Sequence, residues 1–187
     1  PHGIDPEVFK YKERTKTDVF KFLYVGECSD RKGIFQLLDA FISEFKGNSN
    51  VELHIKSNSD MVFYNGKDII KIKEENPNIF WHTGNEGHEY VLGLYRQSHA
   101  YVYPSRADTF GMTLLEAMAC GVKTVGTTNW GGPKYKVSGF KNVYLFDYEM
   151  ASSTFHNNKL EKYYANDETP MWAEPEEKDI KKYLLEV

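Results

Sequence analysis

Apolar positions along the chain fall into six short runs: Val19–Gly26, Val51–Ser57, Ile79–Gly84, Ala100–Ser105, Val122–Thr128 and Val143–Tyr148. Most are near-continuous rather than alternating, as in strands buried on both faces. Between them apolar residues recur at helical spacing. After Gly33, the residues Ile34, Leu37, Leu38, Phe41, Ile42 and Phe45 form one stripe, which Gly47-Asn48 stops. Further helices are predicted over Lys67–Glu75, ended by Asn76-Pro77, and over Glu86–Ser98, with Tyr90, Val91 and Leu94 inward. Another covers Met112–Cys120 and stops at Gly121, and a short one starts near Gly131-Gly132-Pro133.

Strand and helix thus alternate through residues 1–150, which predicts an α/β domain: a Rossmann-like, doubly wound parallel sheet of about six strands. Ligands of such sheets bind beyond the carboxyl ends of the strands. The loops to watch are therefore Glu27–Gly33, Asn85–Glu89, Arg106–Gly111 and Asn129–Pro133. Residues 151–187 read differently, as a polar segment followed by a charged, truncated helix over Glu174–Val187 with Ile180, Tyr183 and Leu184 on one side.

Composition narrows the classes of partner. A chain of 187 residues with 41% hydrophobic and 27% charged residues suits one soluble domain. A formal charge of −4 argues against a nucleic-acid binder, although a small phosphorylated ligand needs only a few local donors. The two cysteines, Cys28 and Cys120, have neither CxxC nor metal-type spacing, which favours a reducing, cytoplasmic setting. No apolar run approaches the roughly 20 residues of a membrane span, which leaves peripheral membrane contact open. The opening Pro1-His2-Gly3-Ile4-Asp5 is unlike a signal peptide and lacks an initiator Met, as expected of a fragment or processed product.

The sharpest chemical feature is the stretch from Ser105 to Gly121. A strand ends at Ser105, a loop carries Asp108 and Gly111, and the most apolar helix of the chain carries Glu116. A carboxylate in that setting is costly unless it is satisfied. Either a structural cation or backbone donors satisfy Glu116, or it faces the strand ends and accepts hydrogen bonds from ligand hydroxyls. Gly111 permits close backbone approach beside a helix N-terminus, and Asp108 taken alone reads as a helix-capping acid. His82 beside Trp81 reads as a packed residue rather than a base, and His88 as a solvated polar group within reach of a ligand. Trp130 is a lid aromatic or an anchored loop residue. Nothing supports a Ser-His-Asp triad or a metal site.

The same stretch resembles the acidic motif of glycosyltransferase family 4, in which two Glu separated by seven residues span a Phe-Gly turn and a Leu-Glu-Ala-Met-Ala helix. Asp108 and Glu116 have that spacing, and Phe110-Gly111 and Leu115–Ala119 match in place. Pro1–Asp5 with Phe9, Phe22–Gly26, Lys32-Gly33, Tyr103–Arg106 and Gly131-Gly132 follow the family's order across almost the whole chain. The resemblance implies the donor-binding half of a GT-B fold, with an N-terminal acceptor domain that this chain lacks. It implies a retaining transfer from a nucleoside-diphosphate sugar, with no metal or other cofactor. Asp108 and Lys32 would be the catalytic pair, Asp108 near the donor sugar and Lys32 on the diphosphate. Glu116 would hold the ribose hydroxyls. The backbone of Phe110, Gly111, Met112 and Thr113, together with Gly26, Gly33, Arg31, Arg106 and His88, would complete the donor site.

Three positions depart from the family. Asp108 is one methylene shorter than the usual Glu. Glu27 stands where an Arg usually shares the diphosphate with Lys32, and Lys134 stands where Glu is common. A carboxylate about 5 Å from a phosphate charge would cost roughly 3 kcal/mol at an effective dielectric near 20. Glu27 is therefore expected to turn away, with Arg31 or Arg106 as substitutes. These departures leave a non-catalytic nucleotide-sugar-binding module as the alternative to a transferase. A dinucleotide-dependent oxidoreductase is disfavoured because Gly26–Gly33 lacks GxGxxG spacing, and an epimerase is a minor further option.

Overall fold

The periodicity of the sequence is realised directly as an alternation of strand and helix. The computed structural model describes residues 3–58, 63–64, 67–137, 139–153 and 171–187. In chain order the elements are β1 (Phe20–Val25), α1 (Ile34–Phe45), β2 (Val51–Lys56), β3 (Phe63–Tyr64), β4 (Lys67–Asp68), α2 (Ile69–Glu75), β5 (Ile79–His82) and α3 (His88–Gln97). There follow β6 (Ala100–Tyr103), α4 (Met112–Ala119), β7 (Thr124–Thr128), α5 (Gly131–Val137), β8 (Val143–Phe146), β9 (Tyr148–Ser152), β10 (Met171–Pro175) and α6 (Glu177–Glu186).

All six predicted strands are present and pair in parallel, in the order β5-β2-β1-β6-β7-β8. Counted among themselves they run 3-2-1-4-5-6, the order of dinucleotide-binding folds, so the sheet is Rossmann-like and doubly wound as expected. The chain leaves β1 toward β2 and β5, then returns to place β6 on the other side. The crevice created by that reversal lies beyond the carboxyl ends of β1 and β6.

Each face of the sheet has its own core. On one, Phe22, Tyr24, Leu53 and Ile55 meet the stripe of α1 together with Ile69 and Ile72 of α2. On the other, Leu23, Val25, Tyr101 and Val125 meet Leu92 and Tyr95 of α3 and Leu114 and Ala117 of α4. Burying each such side chain contributes about 1.5–3 kcal/mol, which is why the central strands carry apolar residues on both faces. β2 is different, because Glu52, His54 and Lys56 alternate with Leu53 and Ile55, giving it one polar face.

Several expectations are corrected. Val91 and Leu94 pack against the core as expected and Leu92 and Tyr95 are fully buried beside them, but Tyr90 is exposed, its hydroxyl turned to His82. α2 starts two residues late, since Lys67–Asp68 pairs with Phe63–Tyr64 and the Asp68 carboxylate then caps the helix at Lys71 N–H, 2.9 Å away. The last helix begins at Glu177. Glu174 and Pro175 belong instead to β10, which pairs antiparallel with β9. The hydrophobic side of α6 is as predicted: Ile180, Tyr183 and Leu184 are buried against Phe22, Phe41 and Phe146. Most of the polar stretch between Ser152 and Thr169 lies outside the described residues. Among the described residues no helix is long and apolar enough to cross a membrane.

Candidate functional site

Three loops meet at the crevice, and glycines let them meet. Gly33, at φ 69°, ends the turn Asp30–Lys32, and a Cβ there would lie 1.8 Å from the carbonyl oxygen of Pro104 at the end of β6. Only a residue without a side chain permits both that conformation and that approach. The first loop is then tied to the loop after β6: the N–H groups of Arg106 and Ala107 donate to Arg31 O at 3.0 and 3.3 Å, and Arg31 Nη1 donates to Ala107 O at 2.9 Å. The third loop closes on the second, with Gly132 N–H donating to Asp108 O at 3.1 Å. A Cβ on Gly132 would lie 2.0 Å from Thr109 O.

Asp108 stands at this junction with both carboxylate oxygens engaged. Oδ1 accepts from the N–H groups of Phe110 and Gly111 at 2.8 and 2.9 Å, which fixes the turn into α4. Oδ2 is ion-paired with Lys32 and accepts from the Tyr103 hydroxyl. Lys32 also donates to that hydroxyl at 2.7 Å. Burial pushes the Asp108 carboxyl up. Lys32, Tyr103 and the two backbone donors outweigh it and hold the group well below the usual carboxylate range. The Tyr103 phenol moves the other way, raised first by burial and then by its tyrosine and carboxylate neighbours.

Glu116 lies one turn into α4 and is only partly buried, because the inward face of that helix is Leu114 and Ala117. The Tyr95 hydroxyl of α3 donates to its Oε2 at 2.8 Å. Among the described residues no cation pairs with Glu116, and no other donor reaches it. Gly111, at φ 70° and ψ 48°, opens the helix beside Pro133. With the Phe110 and Gly111 N–H groups turned onto Asp108, Met112 and Thr113 supply the outward donors of the first turn.

The remaining predicted residues divide into two groups. Gly26, whose N–H donates to Lys56 O at 3.0 Å, opens the first loop under the Tyr24 hydroxyl. Arg31 sits in that loop, but its Nη2 is paired at 3.2 Å with Glu27, whose exposed carboxylate turns along the loop. Arg106 points elsewhere, with its guanidinium 4.6 Å from the centre of the Trp172 ring, paired with Glu174 and 3.8 Å from Asp30. His88 is exposed on the first turn of α3 with its ring edge on Phe9, 5.1 Å between centroids, and touches neither acid. Trp130 is half-exposed and packs on Tyr148. Both cysteines are free, and burial raises the Cys28 thiol to about 11.

The tyrosines are what sequence reasoning missed. Tyr95 and Tyr103 each hold one of the two acids, and Tyr24 and Tyr101 donate to the carbonyls of Glu27 and Val25 at 2.7 and 3.2 Å. A buried phenol needs a partner for its hydroxyl, so Tyr101-Val102-Tyr103 at the end of an apolar strand was the available signal.

A profile of the glycosyl transferases group 1 family matches residues 5–181. The chain belongs to that family. Two uncharacterized glycosyltransferases of Methanocaldococcus jannaschii are each 25% identical to it, over 83% and 65% of the chain and 41% and 32% of their own lengths. Among solved structures, the C-terminal domain of a glycosyl transferase group 1 family protein (LpcC) from Francisella tularensis is similar with a TM-score of 0.60 at 18% identity, over 76% of this chain and 79% of that one. An α,α-trehalose 6-phosphate synthase from Burkholderia multivorans shares the fold with a TM-score of 0.53 at 13% identity, over 65% of this chain and 31% of that one. This group 1 glycosyltransferase chain therefore spans well under half of each curated relative and has the fold of GT-B glycosyltransferase domains.

Proposed function

We propose that this chain is the donor-binding part of a retaining, family 4-type glycosyltransferase. It would move a hexose from a nucleoside-diphosphate sugar to a glycan, lipid or small acceptor presented by an N-terminal domain, on the cytoplasmic side and without a metal ion. Glu116 carries the reading. One oxygen is oriented by Tyr95 and the other is left to accept from a vicinal diol such as ribose, beside the outward N–H groups of Met112 and Thr113. Lys32 would neutralise the diphosphate by exchanging Asp108 for a phosphate oxygen, an electrostatic role suited to an ammonium. Asp108, freed on that side, would then face the sugar. The Asn85–Glu89 loop, with His88, would border the base.

Calorimetric titration with UDP, GDP, ADP and their sugar conjugates tests this. One nucleotide should bind selectively, and Glu116→Ala should lose it while remaining folded. Global unfolding of Glu116→Ala would instead make Glu116 a structural residue, and a folded parent that binds no nucleotide would count against the donor site itself.

One observation favours a second reading, a non-catalytic nucleotide-sugar-binding module. Both cations of the first loop are already compensated, Lys32 by Asp108 and Arg31 by Glu27. Donor binding without donor cleavage in the full-length protein would select it.

A further inference from the structure

A second set of polar side chains lies on the half-buried polar face at the sheet edge. Glu52 Oε2 is 2.9 Å from His54 Nε2, His54 Nδ1 is 3.0 Å from His82 Nε2, and His82 Nδ1 is 2.6 Å from the Tyr90 hydroxyl. The four residues come from three elements: Glu52 and His54 from β2, His82 from the end of β5, and Tyr90 from the first turn of α3.

With both imidazoles neutral, hydrogen-bond chemistry allows this row one direction. The carboxylate only accepts, so His54 must carry its proton on Nε2 and present Nδ1 as an acceptor. His82 must then donate from Nε2, which leaves its own Nδ1 to accept from Tyr90. Every member is satisfied with both imidazoles neutral. Burial lowers both histidines, His82 to about 4, where His54, Lys56 and Lys73 add to the effect; on His54 the Glu52 carboxylate opposes burial and Lys21 reinforces it. Phe80 stacks on His54, with ring planes 14° apart, and Lys21 lies 3.5 Å from Glu52. Among the described residues no third ligand group converges on the facing nitrogens, so they share a proton rather than a metal.

The row brackets one loop. His82 and Tyr90 stand on either side of residues 83–87, and Lys56, also on the polar face of β2, donates to Gly84 O at 2.8 Å. The Tyr90 N–H closes the far end on Gly87 O at 3.0 Å. We propose that Tyr90 is a positioning residue of the donor site, held by His82, His54 and Glu52 so that β2 sets the loop that receives the nucleotide base. This rests on the donor reading given above. A proton arriving at His82 Nδ1 turns that atom from acceptor to donor, and the Tyr90 phenol oxygen then accepts in its place, so the bond reverses and the loop keeps its outer anchor.

The test combines two readouts on the full chain, wild type and Tyr90→Phe, which keeps the ring and deletes the hydroxyl. The first is an NMR pH titration of the imidazole nitrogens and of the Gly84 and Gly87 amides. The second is the affinity for whichever of UDP, GDP or ADP binds, at pH 7. The wild type should show Nε2–H tautomers on both histidines at pH 7 and loop amides that shift as His82 takes up its proton and its bond to Tyr90 reverses. Tyr90→Phe should shift both loop amides at pH 7 and weaken binding about fivefold, a typical coupling between sites. Loop amides indifferent to the histidine proton and to Tyr90→Phe would overturn the proposal, as would equal affinity in the two proteins. Loop amides that follow the proton in a protein binding no nucleotide would support the clamp and overturn the donor reading alone.

Discussion

Lys32 and Asp108 meet across the junction of the first and second strand-end loops, and the Tyr103 hydroxyl touches both. Their side chains are 14% and 11% exposed, so this is a largely buried ion pair in which neither charge is free for a ligand until the other is displaced. Removing one partner of such a pair strands the other, at a cost of about 3–5 kcal/mol. Asp108→Ala should lose stability of that order in chemical denaturation, because it also uncaps the Phe110 and Gly111 N–H groups. Asp108→Asn keeps an oxygen for those donors and should lose less.

The same pair gives acid sensitivity with a definite sign. The Asp108 carboxyl binds its proton more weakly in the folded chain than in the unfolded one, where it titrates near 4. Its contribution is therefore fully present above the unfolded value and is lost as the pH falls below about 4. Asp108→Asn should flatten the wild-type loss of melting temperature below about pH 4. An unchanged acid limb would mean that other carboxylates dominate it.

Glu27 and Arg31 offer a gain-of-binding prediction. Their pair is 3.2 Å long with the carboxylate 62% exposed, so breaking it should change stability by about 0–1 kcal/mol. Glu27→Gln removes a negative charge from the diphosphate loop and frees Arg31. Nucleoside-diphosphate affinity should rise by about tenfold, equivalent to 1.4 kcal/mol. Equal affinity in calorimetry would place the diphosphate away from this loop.

The strands were legible because buried parallel strands are continuously apolar, and the helices between them carry their caps and breakers in sequence. The acids were legible for a different reason: Glu116 is a charge in the most apolar helix, and Asp108 precedes two residues whose N–H groups need a cap. What escaped is non-local. The β9–β10 pairing brings together residues on either side of position 160, and YEMAS or MWAEP alone has no clear strand alternation. Arg106 looked free because Glu174 and Trp172, its partners, are far away in the chain. The flank of α3 was misjudged because Tyr90 is apolar in size yet faces His82 through its hydroxyl.

Gly33 should tolerate no side chain. A Cβ would collide with the Pro104 carbonyl at 1.8 Å, and the left-handed conformation is itself unfavourable to other residues. Gly33→Ala should therefore cost roughly 3 kcal/mol or more, with amide shifts spreading from Lys32 into Ser105–Ala107. Gly47, at φ 77° with open space around it, is the control. There Gly47→Ala meets only the conformational penalty, about 1–2 kcal/mol. Equal losses at the two sites would show that the loops are not locked together at Pro104.

Glu116 and Tyr95 separate binding from orientation. Tyr95 is fully buried, and its phenol, raised by burial, is a secure donor to Glu116 at 2.8 Å. Tyr95→Phe leaves the ring in the core and the carboxylate in place, deleting one hydrogen bond to a charged group, worth about 1.5–3 kcal/mol to whatever it orients. If Glu116 receives the ribose hydroxyls, Glu116→Ala should abolish detectable nucleotide binding. Tyr95→Phe should weaken binding about tenfold while the optimum nucleotide stays the same. If instead Tyr95→Phe destabilises the fold and Glu116→Ala leaves affinity unchanged, the pair is a tie between α3 and α4, and the ribose must be held elsewhere in the crevice.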